Sequence, residues 1–500
     1  MSREQPSTKT TVYYDGKCPT CRAVVDSVGN STRSATFDLR DVHQKGRLPF
    51  GKQAIEKEMH VVDREGRTYK GAEAVLKIAE GFPHLRWPVR FARAPVIKSL
   101  ASIGYQLVAG NGRLLAGPAS SLFWLKITVV VAFCIGLLMS RHLWIGDRSY
   151  PLVPISSGLP QLGGVLAYVL FAALFILAGA ILVAPKPQRF IAAFLAIIAV
   201  FCLLDETRWQ PWVLLYGFLL ATLALFSWDG DDVRGQQSAL NIARLILAAT
   251  YVFSGLQKIN ANFVQSDFPW IVQPITNVLP STTNAFHVFG MIVPFVQIAF
   301  GVGLLTRRFR RASLIVAIAM HLFILAMFGP AGHNWNSIIW PWTAAMAVFD
   351  ILLFANTAEF EIGAALWMPR RLYHGIVLVV FAALPLLSFF NAWDSYLSAA
   401  LYSGNLTEAE IYVSDAGKAA LPMPIQDRTV HTSADTNVIN LQRWAIEDLN
   451  VTPYPETRVY KAVTRSVCSQ SRDQTQLVLI IREQRMFRSK SEAAYRCSEV

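Results

Sequence analysis

Charge is scarce in this chain. Asp, Glu, Lys and Arg make up 16% of its 500 residues, against about 25% in a soluble globular domain. That deficit excludes a single soluble globule. Basic residues exceed acidic ones, for a formal net charge of +12. They never interleave with aromatics along a polar face, as a nucleic-acid surface requires, so nucleic acid is not an expected partner. A basic excess in a membrane protein belongs in cytoplasmic loops. No apolar leader opens the chain, since Met1 to Thr10 is polar, and the N-terminus is expected to start in the cytoplasm. Neither an internal repeat nor a low-complexity tract stands out. The six cysteines fall two near the N-terminus, two in apolar runs and two near the C-terminus, so their placement carries the information.

Long hydrophobic runs are abundant. Nine candidate spans, give or take one, lie near 122–139, 162–183, 190–204, 211–228, 239–256, 285–305, 312–328, 337–354 and 372–390. Each approaches the roughly 20 residues that cross ~30 Å of hydrocarbon, and 190–204 is the shortest. With the N-terminus inside, Lys186, Arg189, Arg307, Arg308, Arg310, Arg311, Arg370 and Arg371 fall in inside loops, as the positive-inside rule asks. The loop from Asp229 to Arg234 is acidic and adds nothing. An odd number of spans puts the C-terminus outside.

Polar chain flanks the spans. Residues 1–117 read as an α/β unit: strands at Val12–Tyr14 and Ala35–Asp38, a helix from Cys21 to Val28, and a hairpin of Met59–Asp63 and Arg67–Lys70 about Gly66. A helix follows at Ala72–Glu80, then a basic, proline-rich stretch from Phe82 to Arg113. Residues 393–500 read as a second small α/β domain, on the exoplasmic side. Its expected strands are Glu410–Ser414 and Gln476–Arg482, and its expected helices Asn437–Asp448 and Arg458–Ser466. Residues 118–392 form the membrane domain. The expected architecture is an α-helical polytopic membrane protein with an α/β domain at each end.

Asp15-Gly-Lys-Cys18-Pro-Thr-Cys21 is the sharpest motif. It follows a strand and opens a helix, so Cys18 sits at a helix N-terminus that favours a thiolate. Cys21 lies within one turn and can resolve a mixed disulfide. Pro19 is tolerated in the first turn because its missing N–H has no helical partner there. The competing reading is a metal knuckle. It needs two more ligands, and the nearest histidines, His43 and His60, lack paired spacing, so no metal is expected.

This segment resembles the DCC family of thiol-disulfide oxidoreductases through Tyr14-Asp15-Gly16, Cys18 and Cys21. His60-Val-Val-Asp63 with Gly66, and Tyr69-Lys-Gly-Ala-Glu-Ala74, match the family's hairpin and following helix. The resemblance covers about the first 110 residues. It implies a thioredoxin-like fold with Cys18 as nucleophile, Cys21 as resolver, and a thiol or disulfide protein or small thiol as substrate. No proline precedes the Met59–Val62 strand, so the cis-proline clamp of thioredoxins proper has no counterpart.

In the membrane region Asn241, Arg244, Ala248, Tyr251, Gly255 and Lys258 step by three or four and share one helical face. Charged residues in a span normally face the protein interior or water, although Lys258, near the outer end, can also snorkel. The run Tyr251-Val-Phe-Ser-Gly-Leu-Gln-Lys258-Ile-Asn260, followed by Phe263 and Trp270, resembles the HTTM family, which includes relatives of the vitamin K-dependent gamma-carboxylase. That resemblance spans roughly Trp124 to Phe390, and His321 is similar to a family histidine. It implies that Lys258 is a base acting on a quinol. Glutamate carboxylation does not carry over, because the carboxylase's large exoplasmic region has no counterpart.

The residues expected to carry chemistry are therefore Cys18, Cys21, Asp15, Lys258 and His321. Arg244, Tyr251, His287, Trp335 and Asn336 are expected to line a cofactor cavity, with quinone as the candidate ligand. Gln297 and Asp350 are further polar residues in spans, and a span histidine such as His321 also serves as a packing residue. Cys134 and Cys202 admit a second redox pair or buried thiols. Cys468 and Cys497 are expected to form a disulfide in the exoplasmic domain, where such bonds persist. The function that follows is a thiol-disulfide oxidoreductase of the cytoplasmic membrane, linked to quinone. The alternative is a lipid-binding module or carrier whose cytoplasmic domain senses thiol state.

Overall fold

The computed structural model describes residues 9–16, 21, 25, 28, 36–44, 49–51, 55, 58–82, 89, 118–156, 158–159, 162–226, 228, 232–355, 372–433, 435–485 and 488–500. Cys18, most of the basic stretch after Phe82, and Arg370–Arg371 lie outside them. The chain divides into two compact units, 1–123 with 229–233, and 124–228 with 234–500. The C-terminal polar region thus belongs to the same unit as most of the apolar helices.

In the first unit, strands β1 (Thr10–Tyr14), β2 (Phe37–Asp41), β3 (His60–Val62) and β4 (Thr68–Lys70) form one sheet in the order β2-β1-β3-β4. β1 pairs parallel with β2, with Val12 opposite Leu39, and antiparallel with β3, with Val12 opposite Val61. The period-two alternation of β1 sends Val12 to one face and Tyr13 to the other. Val12 joins a core with Phe37, Val61, Ala74 and Ile78, while Tyr13 packs with Val42 and Ile55. Ala74 and Ile78, one turn apart on helix α1 (Ala72–Glu80), supply the helical side of that core.

Among the described residues, six helices are long and apolar enough to cross a membrane. They are α2 (Pro118–Met139), α3 (Gly164–Val183), α6 (Val233–Gln257), α8 (Thr283–Leu304), α9 (Arg310–Phe328) and α11 (Leu372–Phe390), with the short α7 (Phe268–Val278) between α6 and α8. Three of the nine expected spans are shorter: α4 (Gln188–Leu204) has 17 residues, α5 (Pro211–Ala224) 14 and α10 (Ile339–Phe354) 16. Fourteen residues make a rod of about 21 Å, against ~30 Å of hydrocarbon. α5 is apolar because its neighbours cover it, with Trp212, Tyr216, Leu219 and Leu223 all buried. Composition does not separate such a helix from a span.

α6 is the most enclosed of the long helices. Its apolar window is 78% buried, against 22% for α3, so α6 lies at the centre of its unit and α3 at the margin. Glycine sets its approach to α8: a Cβ on Gly255 would stand 2.7 Å from Ile298 Cγ1 and 2.8 Å from the Pro294 carbonyl. A small residue is what lets two helices approach this closely.

The C-terminal sheet is antiparallel throughout, in the order β6-β7-β5-β8-β9, from β5 (Glu408–Val413), β6 (Thr429–Ser433), β7 (Thr436–Asn440), β8 (Leu477–Arg485) and β9 (Arg488–Arg496). The helix expected from Asn437 starts later, at Leu441. Val438 and Ile439 enter the sheet core of β7, and Asn440 caps helix α12 (Leu441–Leu449) by accepting from the Arg443 N–H at 2.9 Å. This region is bonded to the loops of the apolar helices. Trp444 Nε1 donates to Ser149 Oγ at 2.8 Å, the Tyr150 N–H to Asp448 at 2.7 Å, and Arg458 pairs with Glu206 at 2.7 Å. Helix α13 (Thr457–Gln470) is tied to the end of β9 by a Cys468–Cys497 disulfide with Cα atoms 5.8 Å apart.

Candidate functional sites

The redox motif grows out of the parallel strand pair. β1 and β2 run the same way, so their C-terminal ends lie side by side, and the loop that leads to the cysteines meets the loop after Asp41. Asp15 Oδ1 lies 2.7 Å from His43 Nε2, with side chains only 16% and 21% exposed. Asp41 Oδ1 accepts from the N–H groups of both Gly16 and His43 at 3.0 Å. Gly16 has no room for a side chain: a Cβ there would stand 2.0 Å from Asp41 Oδ2. Cys21 is helical and half-buried, packed against the core of Val12 and Val25. The position of Cys18 lies outside the described residues. His60 is buried and its Nδ1 bonds the Glu58 carbonyl at 2.8 Å. His43, considered above only as a metal ligand, is instead the partner of Asp15. The parallel pairing is the signal that links them.

The second site is a cavity of ≈ 370 Å³ in the second unit, lined by Tyr251, Lys258, Gln297 and His321 among many aromatic and aliphatic side chains. Its size is that of a small-molecule site, and its mostly apolar wall suits a hydrophobic ligand. Lys258 lies one residue beyond α6. Its ammonium donates to the Ser254 carbonyl at 2.9 Å and to Ser254 Oγ at 2.7 Å. Burial pushes Lys258 down to about 7, opposed by the negative charge of Asp267. Burial likewise pushes Asp267 up to about 6. Deeper in the same wall, the Tyr251 hydroxyl lies 2.8 Å from His321 Nε2 and 2.8 Å from Asp350 Oδ2.

The helical stripe is only partly in the cavity. Tyr251 and Lys258 line it, whereas Arg244, seven residues or about 10 Å earlier on α6, does not. Arg244 donates to the Leu353 carbonyl at 2.8 Å and to Asn241 Oδ1 at 2.8 Å, tying α6 to the end of α10. The expectation that His287, Trp335 and Asn336 line the same cavity does not hold. His287 is exposed in the first turns of α8. Asn336 is buried and donates to the Tyr402 hydroxyl at 3.1 Å. Trp335 faces a second, more polar cavity of ≈ 730 Å³ that also receives Asp267, Trp270 and Tyr402. The span residue whose partners sequence reasoning missed is Asp350. A carboxylate inside an apolar run is the signal that marks it. Cys202 is buried, its thiol 3.8 Å from the Arg208 carbonyl, and neither it nor Cys134 is disulfide-bonded.

No match was found among curated proteins or among solved structures. Residues 12–117 match the DCC1-like thiol-disulfide oxidoreductase family. That match spans the sheet, the Asp15–His43 pair and both N-terminal cysteines, and it supports a thiol-disulfide redox role for the N-terminal region.

Proposed function

We propose that the protein is a thiol-disulfide oxidoreductase of the cytoplasmic membrane whose helical unit holds a quinone beside Lys258. Cys18 attacks the substrate sulfur, a protein or small-molecule disulfide or thiol, and Cys21 resolves the mixed disulfide. In the quinone-reducing direction the dithiol loses two electrons and two protons as it closes to a disulfide. A bound quinone supplies the acceptor for both pairs. The observation that carries this reading is the cavity itself, which brings Lys258 and His321 to one apolar wall. The HTTM-like run from Tyr251 to Asn260 supports the same ligand class. In the reverse, quinol-oxidising direction Lys258, with burial favouring its neutral form, serves as a base toward a quinol hydroxyl. The apolar wall excludes water, and Ser254 holds the amine in place.

The proposed orientation puts the N-terminal domain inside and residues 393–500 outside. Arg307, Arg308, Arg310 and Arg311 at one end of α8 and α9 support an inside loop there. The Cys468–Cys497 bond suits an oxidising compartment. The redox motif and the cavity belong to different compact units, which favours a second reading: a lipid or quinone carrier whose N-terminal domain senses thiol state. Purified protein in nanodiscs, reduced and freed of excess thiol, separates the two. An oxidoreductase reduces ubiquinone-1 with loss of two thiols per quinone, and Cys18→Ser abolishes this. A carrier binds ubiquinone-1 and leaves it oxidised.

A further inference from the structure

We propose that Asp350, Tyr251 and His321 form a proton relay for a hydroxyl-bearing aromatic ligand of the apolar cavity, with His321 Nδ1 as the atom that takes the ligand's proton. The inference rests on the quinol reading of that cavity and adds to it a second proton acceptor, distinct from Lys258.

Three helices contribute one residue each: Tyr251 from α6, His321 from α9 and Asp350 from α10. All three are buried, His321 at 4% exposure and Asp350 at 0%. The phenol bridges the other two, 2.8 Å from His321 Nε2 and 2.8 Å from Asp350 Oδ2, while His321 Nε2 and Asp350 Oδ2 stand 3.5 Å apart. Tyr251 has a single hydroxyl proton. With Asp350 ionised, that proton goes to the carboxylate, which can only accept. The histidine then donates from Nε2 to the phenol oxygen. A neutral imidazole with its proton on Nε2 has a bare lone pair on Nδ1. Among the described residues, His321 Nδ1 has no hydrogen-bond partner, and neither has Asp350 Oδ1.

A packing histidine satisfies both ring nitrogens, and buried polar atoms without partners are rare. Here the atom left over belongs to a residue that lines the cavity. The chain of bonds works in one direct sequence. The ligand O–H breaks and a bond from its proton to Nδ1 forms. The Nε2 proton passes to the phenol oxygen, and the phenol proton passes to Asp350. One proton enters at Nδ1 and one ends on the carboxylate, so the site's charge rises from −1 to zero and no electron moves within it. Every bond of the starting state is replaced by one of the same geometry with its donor reversed, so the heavy atoms need not move. His321 is the catalytic residue of this relay, and Tyr251 and Asp350 act through it.

Three other charged groups lie near. Lys258 lines the same cavity, seven residues after Tyr251 and just beyond the end of α6. Arg244, on the far side of Tyr251, is engaged by Leu353 and Asn241. Asp267 faces the neighbouring polar cavity.

The test uses full-length protein in nanodiscs with ubiquinol-1 as probe. Binding is first measured on the parent by tryptophan quenching. Absence of binding overturns the quinol reading, and the relay with it. Given binding, infrared difference spectra of the parent on adding ubiquinol-1 should show a new protonated-carboxyl band that Asp350→Asn removes. Reduction of ubiquinone-1 by the dithiol form, which by microscopic reversibility uses the same relay to deliver the proton, should fall at least tenfold in Asp350→Asn and Tyr251→Phe with binding unchanged. Its pH profile should shift to lower pH, because the proton must then arrive without the carboxylate. Binding with no carboxyl band, or variants that keep the parent's rate and pH profile, would overturn the relay while leaving the quinol reading in place. The infrared measurement on the parent stands even if a variant fails to fold.

Discussion

The carboxylate of Asp15 and the imidazole of His43 meet at 2.7 Å, directly before the Cys18-x-x-Cys21 motif in one loop and directly after β2 in the other. Partly exposed pairs contribute up to about 1 kcal/mol, so His43→Ala should lower the stability of the N-terminal domain only slightly. Its effect on exchange should be larger, severalfold at pH 7, because the pair fixes Asp15, three residues before Cys18 in the sequence. Rates of disulfide reduction alongside thermal melts distinguish the two. Equal loss in both would assign the pair to folding alone.

Gly16→Ala should be more damaging than its size suggests. The added methyl would overlap Asp41 Oδ2 and break the anchor that Asp41 gives to the Gly16 and His43 N–H groups. Overpacking of this kind costs about 1–3 kcal/mol. Loss of exchange activity with the second unit still folded, as judged by an unchanged melting transition of that unit, is the expected result.

Cys18→Ser should abolish turnover of a disulfide substrate, and Cys21→Ser should accumulate a mixed disulfide through Cys18, seen by non-reducing mass spectrometry. These outcomes follow from thiolate attack by the first cysteine and resolution by the second. Parent-like activity in both variants would remove the assignment.

Lys258 should be acylated by an amine-selective reagent with a midpoint near pH 7, where ordinary lysines are still charged. The sign follows from burial: desolvation disfavours the ammonium, so the value falls to about 7 and the neutral, reactive amine dominates above that pH. Quinol deprotonation should rise over the same interval. Lys258→Arg, which stays charged at all accessible pH, should lose it. A labelling midpoint near 10 would remove the base.

Removing the Cys468–Cys497 bond by a double alanine substitution should destabilise the C-terminal region by about 3–4 kcal/mol, on the entropy of closing a loop of this length. Denaturant melts of parent and variant read this directly. Reductant should produce the same change in the parent and none in the variant.

Local chemistry decided much of this protein in advance. Strand alternation in Val12–Tyr14, the Gly66 hairpin and the helix at Ala72–Glu80 are legible because period and turn residues act over a few positions. The Cys-x-x-Cys motif and the pairing of Cys468 with Cys497 need only spacing and the count of available partners. Span length was less legible. α4, α5 and α10 are as apolar as the longer helices, and only the arrangement of neighbouring helices shows that α5 is covered by protein. The cavity was legible in part: Tyr251 and Lys258 share a helical face, but that face runs on past the cavity to Arg244. Where His321 and Asp350 meet Tyr251 is a property of three helices packed together, and no period within one helix encodes it. The same holds for Asp15 and His43, whose partnership arises from parallel strand pairing, and for Trp335, which the fold turns toward a different cavity. Contacts between residues distant in sequence depend on tertiary packing, because only there does the position of one element fix the surroundings of another.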